Sequence, residues 1–272
     1  LPTPPGHAGH AMGYDSGRRR VVLFGGFQSS GTWEWDGTTW TLPMPEASTP
    51  QLGGAGRAMI YDGARHRLVL FQGASSLGTN TWEWDGSWTQ RVSTSAPPMR
   101  FLGSMAMVYD AARQRSVLFG GEGLTHHLND TWEWDGTNWH QQLPPGSPPA
   151  RGDHAMAYDA ARQRTVLFGG WPNLSDTWEW DGAIWAQRFP AISPRARQWH
   201  SMSYDPVRER VVLFGGWPNL NDTWEWDGTR WTERMPVTTP QWRNSGPMAY
   251  DSGRQRMVLF GSGETWDWDG TT

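Results

Sequence analysis

The dipeptide Tyr-Asp occurs six times, at Tyr14, Tyr61, Tyr109, Tyr158, Tyr204 and Tyr250, at intervals of 47, 48, 49, 46 and 46 residues. Each copy sits in the same phrase. A methionine lies two residues earlier (Met12, Met59, Met107, Met156, Met202, Met248), and an Arg-x-Arg follows, as at Arg113 and Arg115. Next come Val-Leu-Phe-Gly-Gly, as at Val166 to Gly170, and Thr-Trp-Glu-Trp-Asp-Gly, as at Thr177 to Gly182. A lone tryptophan such as Trp185 closes the unit. A fixed period in this range marks a repeat architecture in which each copy is one supersecondary unit.

Each unit reads as four short strands. The first ends at Tyr-Asp, and a tight turn (Asp-Ala-Ala-Arg in two copies) feeds the second. That second strand is apolar almost throughout, as a strand buried on both faces must be. The double glycine ends it, where backbone has to bend or approach another chain closely. In the third strand the two Trp share one face and Glu takes the other, and Asp-Gly turns the chain into the fourth. The 33 glycines and 20 prolines punctuate the chain too densely for helices of useful length. One such sheet cannot bury both its faces, whereas six arranged radially pack each face on the next. The expected fold is therefore all-β: a six-bladed β-propeller of four-stranded antiparallel blades over residues 1–272. The blades fall at about 6–48, 53–95, 100–147, 150–194, 196–240 and 243–272. The sixth lacks its outer strand in this sequence, and Leu1 to Pro5 resembles the linker that follows such a strand elsewhere, at Leu143 to Pro145.

The Gly-Gly doublet closing strand two, the downstream aromatics and the Trp of the last strand resemble the kelch repeat. The resemblance spans essentially the whole chain. Blade 2 (Phe71-Gln72-Gly73) and blade 6 (Phe260-Gly261-Ser262-Gly263) depart from the doublet. Kelch propellers use the loop end of the central channel as their ligand-binding face, often with an arginine on the segment leading into the innermost strand. Their copper radical oxidases need a cysteine cross-linked to tyrosine; this chain has no cysteine, which excludes that chemistry.

A net charge of −4 argues against a nucleic-acid partner. No run of 18 apolar residues is long enough to span a membrane. No signal peptide is recognisable in the sequence; a secreted or cell-envelope location is compatible with it, and the oligomeric state is left open.

What recurs in every blade is most economically explained by folding, so candidates for function are what the repeat leaves over. The Trp-Glu-Trp-Asp carboxylates, tempting as a catalytic pair, recur in every blade and are read as structural, as are the methionines. Of the 21 tryptophans, four lie outside the repeat: Trp171, Trp199, Trp217 and Trp242. They occupy loops after strand two or segments leading into strand one, which share one end of an up-and-down blade. Seven residues before each Tyr-Asp tyrosine stand His7, Gly54, Leu102, Arg151, Arg197 and Arg243. Four residues before it stand His10, Arg57, Met105, His154, His200 and Gly246. The expected ligand-binding set is thus Arg151, Arg197, Arg243, His154, His200, Trp171, Trp199, Trp217, Trp242, His7, His10 and Arg57, on the loop face of blades 4, 5, 6 and 1. Arginine forks grip carboxylates and phosphates, and indole faces stack on sugars.

The expected role is a non-catalytic module binding a small anionic or sugar-like ligand, or a peptide or protein. No cofactor, metal site or catalytic residue is assigned. An enzyme at the same mouth, with His154 or His200 as general base, is the alternative, and Asp153 and Glu122 are the only acids there outside the repeat. A purely structural scaffold is the third reading.

Overall fold

The computed structural model describes residues 3–4, 9–26, 31–44, 50, 56–75, 78–101, 105–240 and 246–271. Blade 1 contains β1 (His10–Asp15), β2 (Arg20–Gly25), β3 (Thr32–Trp35) and β4 (Trp40–Met44). Blade 2 follows with β5 (Arg57–Asp62), β6 (Arg67–Ser75), β7 (Gly78–Trp84) and β8 (Trp88–Arg91). Blade 3 has β9 (Ala106–Asp110), β10 (Arg115–Glu122), β11 (His127–Trp134) and β12 (Trp139–Gln142). In blade 4 these are β13 (Ala155–Asp159), β14 (Arg164–Gly170), β15 (Leu174–Trp180) and β16 (Trp185–Arg188). Blade 5 comprises β17 (Ser201–Asp205), β18 (Arg210–Gly216), β19 (Leu220–Trp226) and β20 (Trp231–Arg234). Blade 6 has three strands, β21 (Met248–Asp251), β22 (Arg256–Gly261) and β23 (Glu264–Trp268). Every pairing is antiparallel between strands consecutive in sequence. The chain is all-β, a six-bladed β-propeller, and among the described residues it has no helix that could cross a membrane.

The repeated residues do their work between blades. Five apolar clusters each straddle one pair of neighbours, for example Phe168 and Val166 of blade 4 with Leu213, Trp226 and Trp231 of blade 5. The fourth-strand Trp lies over the Phe that ends strand two of the preceding blade, as in Trp231 on Phe168 at 5.3 Å between ring centroids. It also donates its indole N–H to the threonine of that blade's Thr-Trp-Glu-Trp: Trp88 to Thr32, Trp139 to Thr81, Trp185 to Thr131 and Trp231 to Thr177, at 2.8–3.0 Å. The tyrosines run the same way. Tyr61, Tyr109, Tyr158 and Tyr204 accept a backbone N–H from the first turn of the preceding blade.

The repeated charges are structural as well. In blade 4, Asp159 accepts the Arg162 backbone and side-chain N–H groups, and Arg162 reaches on to Glu179 at 2.5 Å. Glu179 also accepts the Trp226 indole of blade 5 at 3.1 Å. The Trp-Glu-Trp acids thus anchor arginines within a blade and tryptophans across to the next. The methionines pack beside them. Met12, Met59, Met107, Met156 and Met202 are buried and Met248 is half-buried, at the edge of an axial channel lined by the six innermost strands.

Candidate functional site

The loop end of blades 3 to 5 is held by three arginines on the lead-in segments. Arg151 takes its backbone partners from blade 3: its N–H donates to the Leu128 carbonyl and its C=O accepts from Gly121. Its side chain belongs to blade 4, with one fork bidentate on Asp176 at 2.7 Å and a further bond to the Gly169 carbonyl at 2.9 Å. Arg197 repeats the arrangement one blade on, with Asp222 and Gly215. Arg100 does so one blade earlier, with Asp130 and Gly120. All three arginines are fully buried. The doublet glycine makes the fit possible: Gly169 has φ +63°, and a Cβ there would stand 2.8 Å from the Arg197 carbonyl oxygen.

This placement changes the reading of several residues. Arg151 and Arg197 do not face solvent. Their guanidinium groups are committed to Asp176 and Asp222, whose carboxyls are held below the usual range by these arginines against the opposing effect of burial. The equivalent residue in blade 3 is Arg100 and not Leu102, because that lead-in segment is longer and a fixed count of seven falls short of it. A signal for the pairing stands in the sequence. An acid precedes Thr-Trp in the four blades whose lead-in carries an arginine: Asp130, Asp176, Asp222 and Glu264 go with Arg100, Arg151, Arg197 and Arg243. His7, Trp242 and Arg243, as well as Leu1 and Pro5 of the linker-like start, lie outside the described residues.

The histidines of the next position are packing groups. His154 stacks edge-on against Phe119 of blade 3 at 5.5 Å, His200 against Phe168 of blade 4 at 5.6 Å, and His10 against Phe260 of blade 6 at 5.6 Å. In blade 2 the half-buried Arg57 takes the place of histidine over Phe24 at 5.8 Å. His154 and His200 are buried. Burial, reinforced by Arg151, lowers the His154 pKa to about 3, and burial with Arg197 lowers that of His200 well below its ordinary value. Both rings are about 95 % covered in this arrangement, which is where the alternative reading would place a general base.

The tryptophans outside the repeat behave differently. Trp171, Trp199 and Trp217 are 47 %, 36 % and 40 % exposed. They are tied together through the backbone. Trp171 donates its N–H to the Gly152 carbonyl at 2.8 Å, the adjoining Asp153 carbonyl accepts from Trp199 at 2.9 Å, and Gln198 accepts from Trp217 at 2.8 Å. Asp153 and Trp199 occupy equivalent left-handed positions, each at φ +57°. An aromatic side chain rarely adopts that conformation, and such residues persist only where surroundings over-determine them, most often at functional sites. Burial pushes the Asp153 carboxyl up, with Trp199 and His127 acting against it and Glu122 adding to it. The blade 3–5 mouth therefore joins three exposed indoles to a carboxyl poised above its ordinary range and a nearby histidine.

The class defined by this geometry is the six-bladed β-propeller, a scaffold that carries its variable loops at one end. Among solved structures the chain is similar to one described as "Structure of YjhT", with a TM-score of 0.70 at 13 % identity over 97 % of this chain and 93 % of that one. At that identity the likeness is one of fold. No protein-family model matches the sequence, and neither does any curated protein.

Proposed function

We propose that this propeller is a non-catalytic binding module that takes a sugar-like ligand at the loop end of blades 3 to 5. The observation that carries this reading is the band of three solvent-exposed indoles, Trp171, Trp199 and Trp217, on loops bonded to one another across blades 4 and 5. Exposed indoles on rigid loops offer flat apolar area at little ordering cost, suited to stacking on a sugar ring. Asp153 supplies hydrogen bonding for hydroxyl groups beside them. Burial of Arg151 and Arg197 removes the main support for a small anion, and so tilts the chemistry toward an uncharged ligand. The Gly-Gly and Trp signature of the repeat supports placing the chain among kelch-type propellers, whose loop end serves as a ligand face.

The test is a thermal-shift screen with neutral and acidic oligosaccharides, followed by calorimetric titration of any hit. A neutral sugar that raises the melting temperature, and loses affinity at least tenfold in both Trp171→Ala and Trp217→Ala, is the expected result. A hit unaffected by both substitutions would move the site elsewhere. A library without a stabilising sugar would overturn the ligand class.

A further inference from the structure

The loops after strand two differ from blade to blade, with one exception. Blades 4 and 5 carry the same one, Gly-Gly-Trp-Pro-Asn-Leu, at Gly169 to Leu174 and again at Gly215 to Leu220. The two copies also share a conformation. Each doublet shifts the register of its strand pairing, between Phe168 and Gly170 and between Phe214 and Gly216. Each loop then turns through a left-handed asparagine, Asn173 at φ +78° and Asn219 at φ +57°, a conformation this residue type tolerates. Each tryptophan bridges to the lead-in segment of its own blade, Trp171 to Gly152 and Trp217 to Gln198. The next lead-in residue is left-handed in both, Asp153 in blade 4 and Trp199 in blade 5. The band is also bounded. At the bridge position of blade 3 stands Glu122, paired with Phe101, and blade 6 passes from β22 to β23 through Ser262 and Gly263 alone.

A feature present in all six blades belongs to folding. A loop repeated in two adjacent blades, each time with an exposed indole after the doublet, duplicates a contact. Between the two tryptophans runs a path of three backbone hydrogen bonds: Trp171 to Gly152, Trp199 to Asp153, and Trp217 to Gln198, at 2.8–2.9 Å. Neighbouring backbones bonded in this way lie about 5 Å apart, and three such steps separate the two platforms. We infer that this face holds two equivalent subsites one blade apart, and that its ligand is an oligosaccharide of at least two rings, one stacked on Trp171 and another on Trp217. The assignment rests on the sugar reading of this face and adds to it the length of the ligand and the number of places it is held. Joining two rings makes the second contact intramolecular, so a chain gains affinity over a single ring without any new kind of contact. The subsites differ at the left-handed position. Asp153 beside Trp171 offers a hydrogen-bonding carboxyl, where Trp199 beside Trp217 offers a second indole.

The probes are two homologous series, glucose to cellohexaose and N-acetylglucosamine to chitohexaose. Each member is titrated calorimetrically into the full chain and into its Trp171→Ala and Trp217→Ala variants. In at least one series, affinity should rise about tenfold or more from the monosaccharide to the di- or trisaccharide and then level off. Each substitution should abolish that rise while leaving the monosaccharide bound at the remaining platform. Both positions are exposed, so melting temperatures close to the parent's serve as the control for folding. A monosaccharide held as tightly as its oligomers would overturn the two-subsite assignment and leave the sugar reading in place. So would a rise that continues evenly to the hexamer, or one that survives either substitution. Failure of every member to bind the parent chain would overturn both.

Discussion

Trp40 in the first blade donates its indole N–H to Thr265 in the last, at 3.0 Å across 225 residues of sequence. With the Gly253 N–H on the Tyr14 hydroxyl at 3.0 Å, and the packing of Trp40 on Phe260 at 5.4 Å, this contact shuts the ring. It has the same form as the contacts between blades adjacent in sequence, so closure here uses ordinary interblade chemistry.

Thr265→Val should therefore strand a buried indole N–H and lower stability by about 1–3 kcal/mol. Thr131→Val, which removes the equivalent acceptor for Trp185 inside the ring, should fall in the same range. Denaturant unfolding of both variants is the measurement. A Thr265→Val effect near zero beside a full Thr131→Val effect would mean that the first and last blades are not held together in solution.

Arg197→Ala leaves the half-buried Asp222 carboxylate and the Gly215 carbonyl without their donor and should destabilise the fold by about 1–3 kcal/mol. Arg197→Lys should recover little of this, since an ammonium cannot reproduce the two-point fork. Trp217→Ala, at an exposed position, should stay within about 0.5 kcal/mol of the parent. A melting curve for each separates a staple from a ligand contact: an Arg197→Ala protein of unchanged stability would return that residue to the binding surface.

Acidification should destabilise the fold well before the carboxylates titrate. His154 and His200 are neutral in the folded protein, and their pKa values lie below the unfolded value near 6.5. Between that value and about 3 the unfolded chain binds more protons than the folded one. The stability that the neutral His154 contributes is thus fully present above pH 6.5 and falls by up to about 1.4 kcal/mol per pH unit as the pH drops through this window. Melting temperatures measured from pH 7 to pH 4 should decline steadily. A His154→Gln variant should show a shallower decline, and an equal slope would assign the acid sensitivity to other groups.

Trp199 holds a left-handed backbone for which glycine is the natural residue. Trp199→Gly should consequently be more stable than Trp199→Ala by about 1 kcal/mol, although both remove the same ring. Both should lose affinity for the sugar ligand alike. Chemical denaturation and a binding titration on the pair check the two halves independently, and equal stabilities would argue that the local backbone relaxes on substitution.

The propeller was legible in the sequence because its determinants repeat. Tyr-Asp, Gly-Gly and Thr-Trp-Glu-Trp mark strand ends and faces, and each contact they make recurs in blade after blade. The structural role of the repeated acids was legible for the same reason, and Asp159, Arg162 and Glu179 show it in one blade. The lead-in arginines were harder. Arg151 and Asp176 stand 25 residues apart on elements with no common local pattern, so an irregular arginine read naturally as a ligand contact. Only the joint presence of arginine and acid in the same blades hinted at their pairing. The burial of His154 depends on Phe119 in the preceding blade, which no window around the histidine could reveal. The surface tryptophans were legible as departures from the repeat, and three of them are indeed exposed.

The direction of the interblade bonds has a consequence for how the molecule is built. Among the described residues every interblade tryptophan bond runs back to the preceding blade, and five of the six repeated tyrosines accept from that blade's first turn, so the two faces of a blade are different surfaces that fit head to tail. In the language of assemblies, the chain is a covalently tethered cyclic hexamer with one heterologous interface repeated around it. Such an interface makes an endless filament unless the rotation per subunit closes. Here, with six copies, it does, and Trp40 on Thr265 is the junction at which a spiral becomes a ring.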